Sequence, residues 1–126
     1  MSATLREAHG LRVLDYRDDG FRITAERDVN TIIGDAYSHR ADVVVFPAAH
    51  LAPEFFQLRS GLAGAVAQKF VNYGARVVIL GDVSAHIAES KAFADFVREA
   101  NRGGQLWFVP TVAELEARLA QAQKKG

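Results

Sequence analysis

The sequence has no cysteine and no net charge, since its 126 residues include 15 basic and 15 acidic side chains. The lack of cysteine excludes disulfide bonds, thiolate metal sites and cysteine nucleophiles. Basic residues are scattered along the chain, so no long-range field attracts a phosphate backbone or an anionic lipid surface. We therefore expect neither nucleic acid nor membrane among its partners, and expect a protein or a small molecule instead.

Long apolar runs are missing as well. None approaches the ~20 residues that a membrane-spanning helix needs, and no apolar segment follows the first residues as in a secretory signal. A chain that is 49% hydrophobic and 24% charged is typical of one soluble globular domain. We expect a single cytoplasmic domain over residues 1–126, ordered from about residue 10 to about residue 120, and no cofactor.

Local patterns predict five strands and four helices. Asp18-Asp19-Gly20 is typical of a tight turn, so the first two predicted strands should form an antiparallel hairpin. The expected helix caps are Asp28, Ser60, Ser90 and Thr111. Runs rich in β-branched and aromatic residues place the strands at 11–16, 21–24, 42–46, 76–80 and 105–109.

The predicted order is β-β-α-β-α-β-α-β-α. Strands that alternate with helices, each nearly continuous in apolar residues, are typical of parallel strands joined by right-handed crossovers. We predict an α/β fold, a single domain with a mixed, mostly parallel sheet of about five strands and about four helices. In the last helix, Val112, Leu115 and Leu119 should face the core, and residues 121–126 should fray.

One set of residues resembles a known family. It comprises EFFQLRSGLAG at residues 54–64, QKFVNYG at 68–74, Gly81-Asp82, the start of the third predicted helix and Asn101-Arg102-Gly103. The set resembles the bacterial domain of unknown function family numbered 4180, over most of residues 11–118. This resemblance implies a small, single-domain, cytosolic protein, and it assigns no reaction.

The element order also resembles the STAS domain of anti-sigma-factor antagonists. In that family a partner kinase phosphorylates the hydroxyl residue before the glycine of an Asp-Ser-Ser/Thr-Gly-Leu motif. Ser60-Gly61-Leu62 stands at the corresponding place, and Leu58 and Arg59 replace the aspartate and the first serine of the motif. The resemblance implies a STAS-like fold and phosphorylation of Ser60.

Ligands in open α/β sheets favour the carboxyl ends of the parallel strands. Asp28, Glu54 and Asp82 follow three predicted strands, and three carboxylates could together hold a hard cation. Asp82 could equally cap the turn at residues 83–86. We assign no metal site, because the three carboxylates are distant in the sequence.

Ser60 and its neighbours are the second candidate site. A phosphate there would be stabilised by the helix N-terminus and by Arg59, and the alternative is an ordinary capping serine. Gly61 and Gly64 each lower helix stability by roughly 1 kcal/mol. We expect that a close approach by a strand, or by a ligand, requires these glycines.

Histidine and serine in the same loops raise a hydrolase alternative. His50, Ser84, His86 and Asp82 include a nucleophile, a base and an orienting carboxylate, but the Gly-x-Ser-x-Gly turn is absent. We therefore assign no catalytic residue, and keep His50 and Ser84 as candidates for a ligand or partner surface.

Phe55 and Phe56 are adjacent, so they cannot face the same way on a helix. We expect both in the core. The alternative is that one of them lines a pocket or a partner surface, to which Tyr73, Trp107 and Phe108 would add aromatic area.

Two functions remain open. The first is a non-enzymatic regulatory or protein-interaction module of STAS-like type, which acts through the loop at 47–57 and is switched at Ser60. The second is a small-ligand-binding protein or minor enzyme with a pocket that includes Asp28, Glu54 and Asp82. A homodimer is a further expectation, because the exposed edges of a small sheet favour pairing.

Overall fold

A mixed β-sheet runs through the middle of the structure, a computed structural model that describes residues 3–17 and 20–122. Three 3-10 turns, Ala48–His50, Pro53–Phe56 and Leu58–Ser60, follow the third strand. The strands are β1 (Thr4–Ala8), β2 (Leu11–Asp15), β3 (Val43–Pro47), β4 (Arg76–Leu80) and β5 (Leu106–Val109). The helices are α1 (Glu26–His39), α2 (Leu62–Tyr73), α3 (Ser84–Glu89), α4 (Lys91–Arg102) and α5 (Val112–Gln121).

The strands lie in the sheet in the same order as in the sequence. β1 pairs antiparallel with β2, and the other three pairings are parallel. Right-handed crossovers that always step in one direction place their helices on one face. Accordingly, Val29 of α1, Val66 of α2 and Phe93 of α4 are buried in one cluster with Phe46 of β3. The predicted α/β fold with a mixed, mostly parallel sheet is confirmed.

α5 covers the other face of the sheet. Side chains alternate along each strand, so Val45 points to this face, where it is buried in a second cluster with Leu115 and Leu119. Both leucines are fully buried, as predicted. The helix reaches back to β1, because Glu116 accepts a hydrogen bond of 2.8 Å from Arg6.

Asp15, at the end of β2, is a carboxylate that is only 6% exposed. Arg17 holds it through Nε and Nη2, at 2.8 and 2.7 Å from Oδ2. The Arg17 backbone N–H donates to Oδ1, and Arg6 Nε lies 3.9 Å from Oδ2. A buried charge is stable only with such partners. Because Arg6 also binds Glu116 on α5, Asp15 belongs to the group of charged side chains that joins β1 and β2 to α5.

The predicted hairpin between residues 11–16 and 21–24 is wrong. β2 pairs instead with β1, through His9 and Gly10, whose φ values of 55° and 80° are typical of a two-residue type I′ turn. Residues 21–24 form no strand, and Ile23 makes a single parallel bridge to the residue after the first 3-10 turn.

The physical reason lies in how few apolar residues each segment offers. β1 has the sequence TLREA and is half exposed, so buried and exposed side chains alternate only weakly along it. In the predicted second strand only Ile23 is buried, so the segment has one anchor on the core and no row of contacts. The predicted turn residues Asp18 and Asp19 lie outside the described part of the chain.

The starts of α4 and α5 agree with the predictions. Ser90 Oγ accepts a hydrogen bond from the Phe93 N–H at 3.1 Å, and Thr111 Oγ1 accepts one from the Glu114 N–H at 3.2 Å. The prediction that Val112 faces the core is wrong, because this residue is 47% exposed. It lies in the first turn of α5, just beyond the end of β5, where the sheet no longer covers it.

The sequence patterns did not predict α3, a helix of six residues between β4 and α4. A short helix without a buried stripe leaves no apolar periodicity to detect. The predicted fraying at 121–126 concerns mostly residues outside the described range, and α5 includes Gln121. Among the described residues, no helix combines the length and the apolar character needed to cross a membrane.

Candidate functional site

The carboxyl ends of β3 and β4 border an open cavity of about 420 Å³, which we call the edge pocket. One wall comes from the 3-10 turns after β3, and the other from the residues between β4 and the first turn of α3. Its ionisable side chains are Asp82 and His86. The apolar side chains that line it include Pro47, Leu51, Pro53, Phe56, Leu80 and Val83.

Gly81 allows the two walls to come together. Its φ of +144° lies in a region that side chains rarely adopt. A Cβ on this residue would lie 2.9 Å from the Cβ of Ala48, in the first 3-10 turn. Glycine is therefore the residue that lets the chain leave β4 directly beside the turn that follows β3.

Phe56 and His86 stack on each other between the edge pocket and a neighbouring cavity of about 530 Å³. Their rings are parallel within 4°, with centroids 3.7 Å apart. Phe55 is fully buried, and its ring contacts Phe108. The expectation that both phenylalanines belong to the core is confirmed, and Phe56 also lines both cavities.

The other aromatic candidates are dispersed. Trp107 is buried under α5, between the guanidinium groups of Arg76 and Arg118, at 4.3 and 3.9 Å from its ring. Tyr73 lies at the end of α2, on the opposite edge of the sheet. Phe108 lines a smaller cavity of about 360 Å³, which also includes Asp82. Tyr73 and Trp107 therefore lie apart from Phe56, whereas Phe108 is joined to it through the rings of Phe55 and Phe93.

Asp82 caps the start of α3. Its Oδ1 accepts a hydrogen bond of 2.9 Å from the Ser84 N–H. This backbone bond, followed by a bond from the Ser84 hydroxyl, lowers the pKa of Asp82. The turn-capping interpretation of Asp82 is the one that the structure supports, and Ser84 is its partner.

Asp28 lies in the first turn of α1 and holds the preceding loop. Its Oδ2 accepts hydrogen bonds from the N–H and Oγ1 of Thr24 at 2.9 Å, and from the Ala25 N–H at 3.1 Å. The Thr24 N–H bond is the main reason that the pKa of Asp28 is lowered, although partial burial opposes it. Asp28 is therefore a capping residue, as predicted, at the third helical position.

The lowered pKa of Asp28 predicts a pH-dependent contribution to stability. A carboxylate whose folded pKa lies below its usual value of 3.8 stabilises the fold above that value, and the stabilisation is lost as pH falls through the folded pKa. Asp28→Asn keeps an acceptor and loses the charge, so it should lower the free energy of unfolding by about 0.5–1 kcal/mol at neutral pH. Urea melts should show this difference at pH 7 and none below both pKa values. The same difference at both pH values would contradict the assignment.

Ser60 precedes α2 by two residues, so Gly61 and not Ser60 is its N-cap. The Ser60 hydroxyl donates a hydrogen bond of 2.6 Å to the Glu54 carbonyl and accepts one of 3.2 Å from the Leu62 N–H. Gly61 has a φ of +81°, which explains the glycine without any close neighbour. Arg59 is exposed and lines the cavity of about 530 Å³ beside the edge pocket.

The expected close approach of a strand at Gly64 is wrong. A Cβ built on this exposed helical residue meets no atom within 4 Å. Gly64→Ala should therefore raise the free energy of unfolding by about 0.5–1 kcal/mol, because alanine loses less backbone entropy in a helix. Thermal melts of the two proteins would measure the change. A destabilised variant would mean that a neighbouring group on the protein surface occupies the space that the added methyl group needs.

The remaining candidates do not form one centre. Asp28 and Asp82 cap different helices, and within residues 3–17 and 20–122 no three acidic or histidine side chains are placed to hold a metal ion. His50 packs edge-on against Phe46, and its Nδ1 is buried without a hydrogen-bond partner in that part of the chain. His86 faces Phe56. Among these candidates, no serine hydroxyl is hydrogen-bonded to a histidine, and the Ser84 hydroxyl donates to Asp82 instead.

The sequence missed the role of His86, because α3, the short helix that carries it, has no buried stripe and therefore no periodic signal. The sequence indicated the carboxyl ends of the parallel strands as the place where a ligand would bind. The parallel strands follow one another in the sheet without reversal, and the edge pocket results from the packing of the 3-10 turns against the end of β4.

Fold and site together define a small α/β protein with one mixed sheet and an open pocket at its carboxyl edge. A family model described as "Domain of unknown function (DUF4180)" matches residues 8–119. The chain belongs to this family, which confirms the resemblance carried by the segments at 54–64 and 68–74. The searches of curated proteins and of solved structures found no match.

Proposed function

We propose that this chain is a non-enzymatic regulatory module of STAS-like type that contacts a protein partner through residues 47–60 and is switched at Ser60. The observation that supports this most is the pair of hydrogen bonds made by the Ser60 hydroxyl, to the Glu54 carbonyl and from the Leu62 N–H. One exposed side chain joins the second 3-10 turn to the start of α2.

A phosphate on Ser60 would change both bonds. It removes the hydrogen that Oγ donates to Glu54, and it adds nearly two negative charges. The Glu54 carbonyl oxygen would then face an anion and be repelled, whereas the N–H groups at the start of α2 attract the phosphate. The segment 53–60, which carries Phe56, would move relative to α2 and present a different surface.

The use of the polar candidates also favours a non-enzymatic role. Asp28, Ser60 and Asp82 each bind backbone groups of their own loops. A catalytic acid or base must instead reach a substrate proton. Side chains that are occupied in capping stabilise the shape of the carboxyl edge, which is what an interaction surface requires.

The test compares the native protein with one that carries phosphoserine at position 60, introduced by genetic encoding. Backbone hydrogen exchange should accelerate at 54–60 and stay unchanged elsewhere, and intact mass of protein from its native host should show the phosphate. Phosphoserine at the exposed Ser38, on α1, is the matched control. Unchanged exchange at 54–60, or no phosphate on Ser60 in the host, would overturn the switch.

A second function, binding of a small molecule, is favoured by the edge pocket itself. Its mostly apolar walls with Asp82 and His86 are typical of small-molecule sites. A thermal-shift screen of metabolites should find a stabilising ligand, since a ligand at 100 times its Kd stabilises by about 2.7 kcal/mol. His86→Ala should abolish the shift, while His39→Ala, in the last turn of α1, should retain it. A flat screen would count against this function.

We also propose a homodimer through the outer edge of β1. The outer edge of β5 is partly occupied, because Asn101 Oδ1 accepts a hydrogen bond of 2.7 Å from the Phe108 N–H. β1 is at the other end of the sheet and is half exposed, and such edges favour pairing. Sedimentation velocity over a wide concentration range should show dimers, and monomers throughout would contradict this proposal.

A further inference from the structure

A second open cavity, of about 600 Å³, lies at the amino edge of the sheet, opposite the edge pocket. We call it the tyrosine pocket. It is bounded by the last turns of α1 and α2 and by the residues that lead into β3 and β4. The side chains that define it are Tyr37, Arg40, Asp42 and Tyr73.

The two tyrosine rings stand edge to face, with centroids 6.4 Å apart and an angle of 67° between the planes. Tyr37 is 74% exposed, although it is a large aromatic residue. Ring faces carry negative charge density that attracts cations. At this angle, the two tyrosines offer the face of one ring and the edge of the other to a group that approaches from the solvent.

The groups around the rings make the pocket attractive to positive charge. The last carbonyls of α1 and α2 are near it, and helix C-termini carry partial negative charge. Asp42 adds a carboxylate, whose Oδ2 accepts a hydrogen bond of 2.8 Å from the Arg12 backbone N–H. Burial is the main reason that the pKa of Tyr73 is raised, and Tyr37 and then Asp42 raise it further.

Two arginines are the opposing charges. Arg12 binds the His39 carbonyl through Nε at 3.0 Å and lies 3.6 Å from Glu7, so its charge is engaged. Arg40 lines the cavity from an exposed position just after α1. It makes no ring contact with either tyrosine in the described part of the chain, so the aromatic faces stay open to a ligand.

We propose that the tyrosine pocket binds a small organic cation of the alkylammonium class between Tyr37 and Tyr73, with Asp42 as the counter-charge. Methyl groups on the nitrogen would contact the rings, and the positive charge would face the carboxylate and the helix C-termini. This site is separate from the edge pocket and from Ser60, and it does not depend on the function proposed for them.

The test is an NMR titration of the full chain with choline and with 3,3-dimethylbutan-1-ol, the neutral analogue of the same shape. Choline should shift amide signals at 37–42 and 73–75, and the neutral alcohol should bind at least fivefold more weakly. Equal binding of the two compounds, or no binding of choline, would overturn the proposal. A peptide with trimethyllysine, compared with its unmethylated form, then shows whether the ammonium belongs to a protein or to a free metabolite.

Variants make the assignment specific. Tyr37→Ala should weaken choline binding by about 3- to 30-fold, the range expected from losing one cation–π contact, and its exposure leaves the fold intact, as circular dichroism would verify. Arg40→Gln should strengthen binding by up to about fivefold, because it removes a repelling charge. Val112→Ala, at another exposed apolar site, on α5, should leave binding unchanged. Wild-type affinity in Tyr37→Ala would contradict the pocket.

Discussion

Phe93→Ala should lower the free energy of unfolding by about 3–5 kcal/mol, the range for removing a buried aromatic ring. Phe93 is fully buried where α4 meets the sheet. Its ring lies 5.7 Å from that of Phe108 and 5.5 Å from that of Phe56. Removal of this ring leaves a cavity at the centre of the aromatic cluster, and neighbouring backbone elements can close only part of it.

Equilibrium unfolding in urea is the measurement, and Phe96→Ala is its matched control. Phe96 lies on the same helix and stacks on Phe93, yet it is only partly buried, so its loss should be clearly smaller. Phe93→Ala should also loosen Phe56 and with it the wall of the edge pocket. Equal losses for the two variants would mean that the cluster is not centred on Phe93.

Gly81→Ala should lower the free energy of unfolding by about 2–4 kcal/mol. Two separate effects add here. The backbone at φ +144° is strained for any residue with a Cβ, and that Cβ would lie 2.9 Å from the Cβ of Ala48. Because the first 3-10 turn would have to move, the shape of the edge pocket should change together with the stability.

Gly64→Ala is the control for this substitution, since it adds the same methyl group and should act in the opposite direction. Thermal melts of both variants, with a crystal structure of Gly81→Ala, would show whether residues 47–50 are displaced. A neutral Gly81→Ala would contradict the assigned contact with Ala48. It would also remove the reason given for glycine at the end of β4.

The parallel strands and most of the helices could be predicted, because their apolar residues form continuous runs or recur at regular spacing. Continuous apolar runs gave β3, β4 and β5 within one or two residues, and the capping side chains Ser90 and Thr111 gave the starts of α4 and α5. β1 could not be predicted in the same way. It has two exposed positions in five residues, and its place is decided by a turn at His9-Gly10 and by contact with α5.

The site was predictable in position and not in composition. The carboxyl edge follows from the order of the elements, so the sequence could place the residues after β3 and β4 at one edge, where they line the edge pocket. Which side chains meet there depends on three 3-10 turns and on α3, and these have no repeating pattern. The stack of Phe56 on His86 joins residues 30 positions apart along the chain, and such a contact has no local signature.

The return of α5 across the sheet has a consequence for the growing chain on the ribosome. Arg6 and Glu116, which join β1 to α5, are 110 positions apart. When β5 emerges, α1, α2 and α4 can already cover their face, but Val45 and its neighbours on the opposite face are still in contact with water. Until α5 folds back, the nascent protein displays an uncovered apolar surface, and in that interval it is open to chaperones and to aggregation.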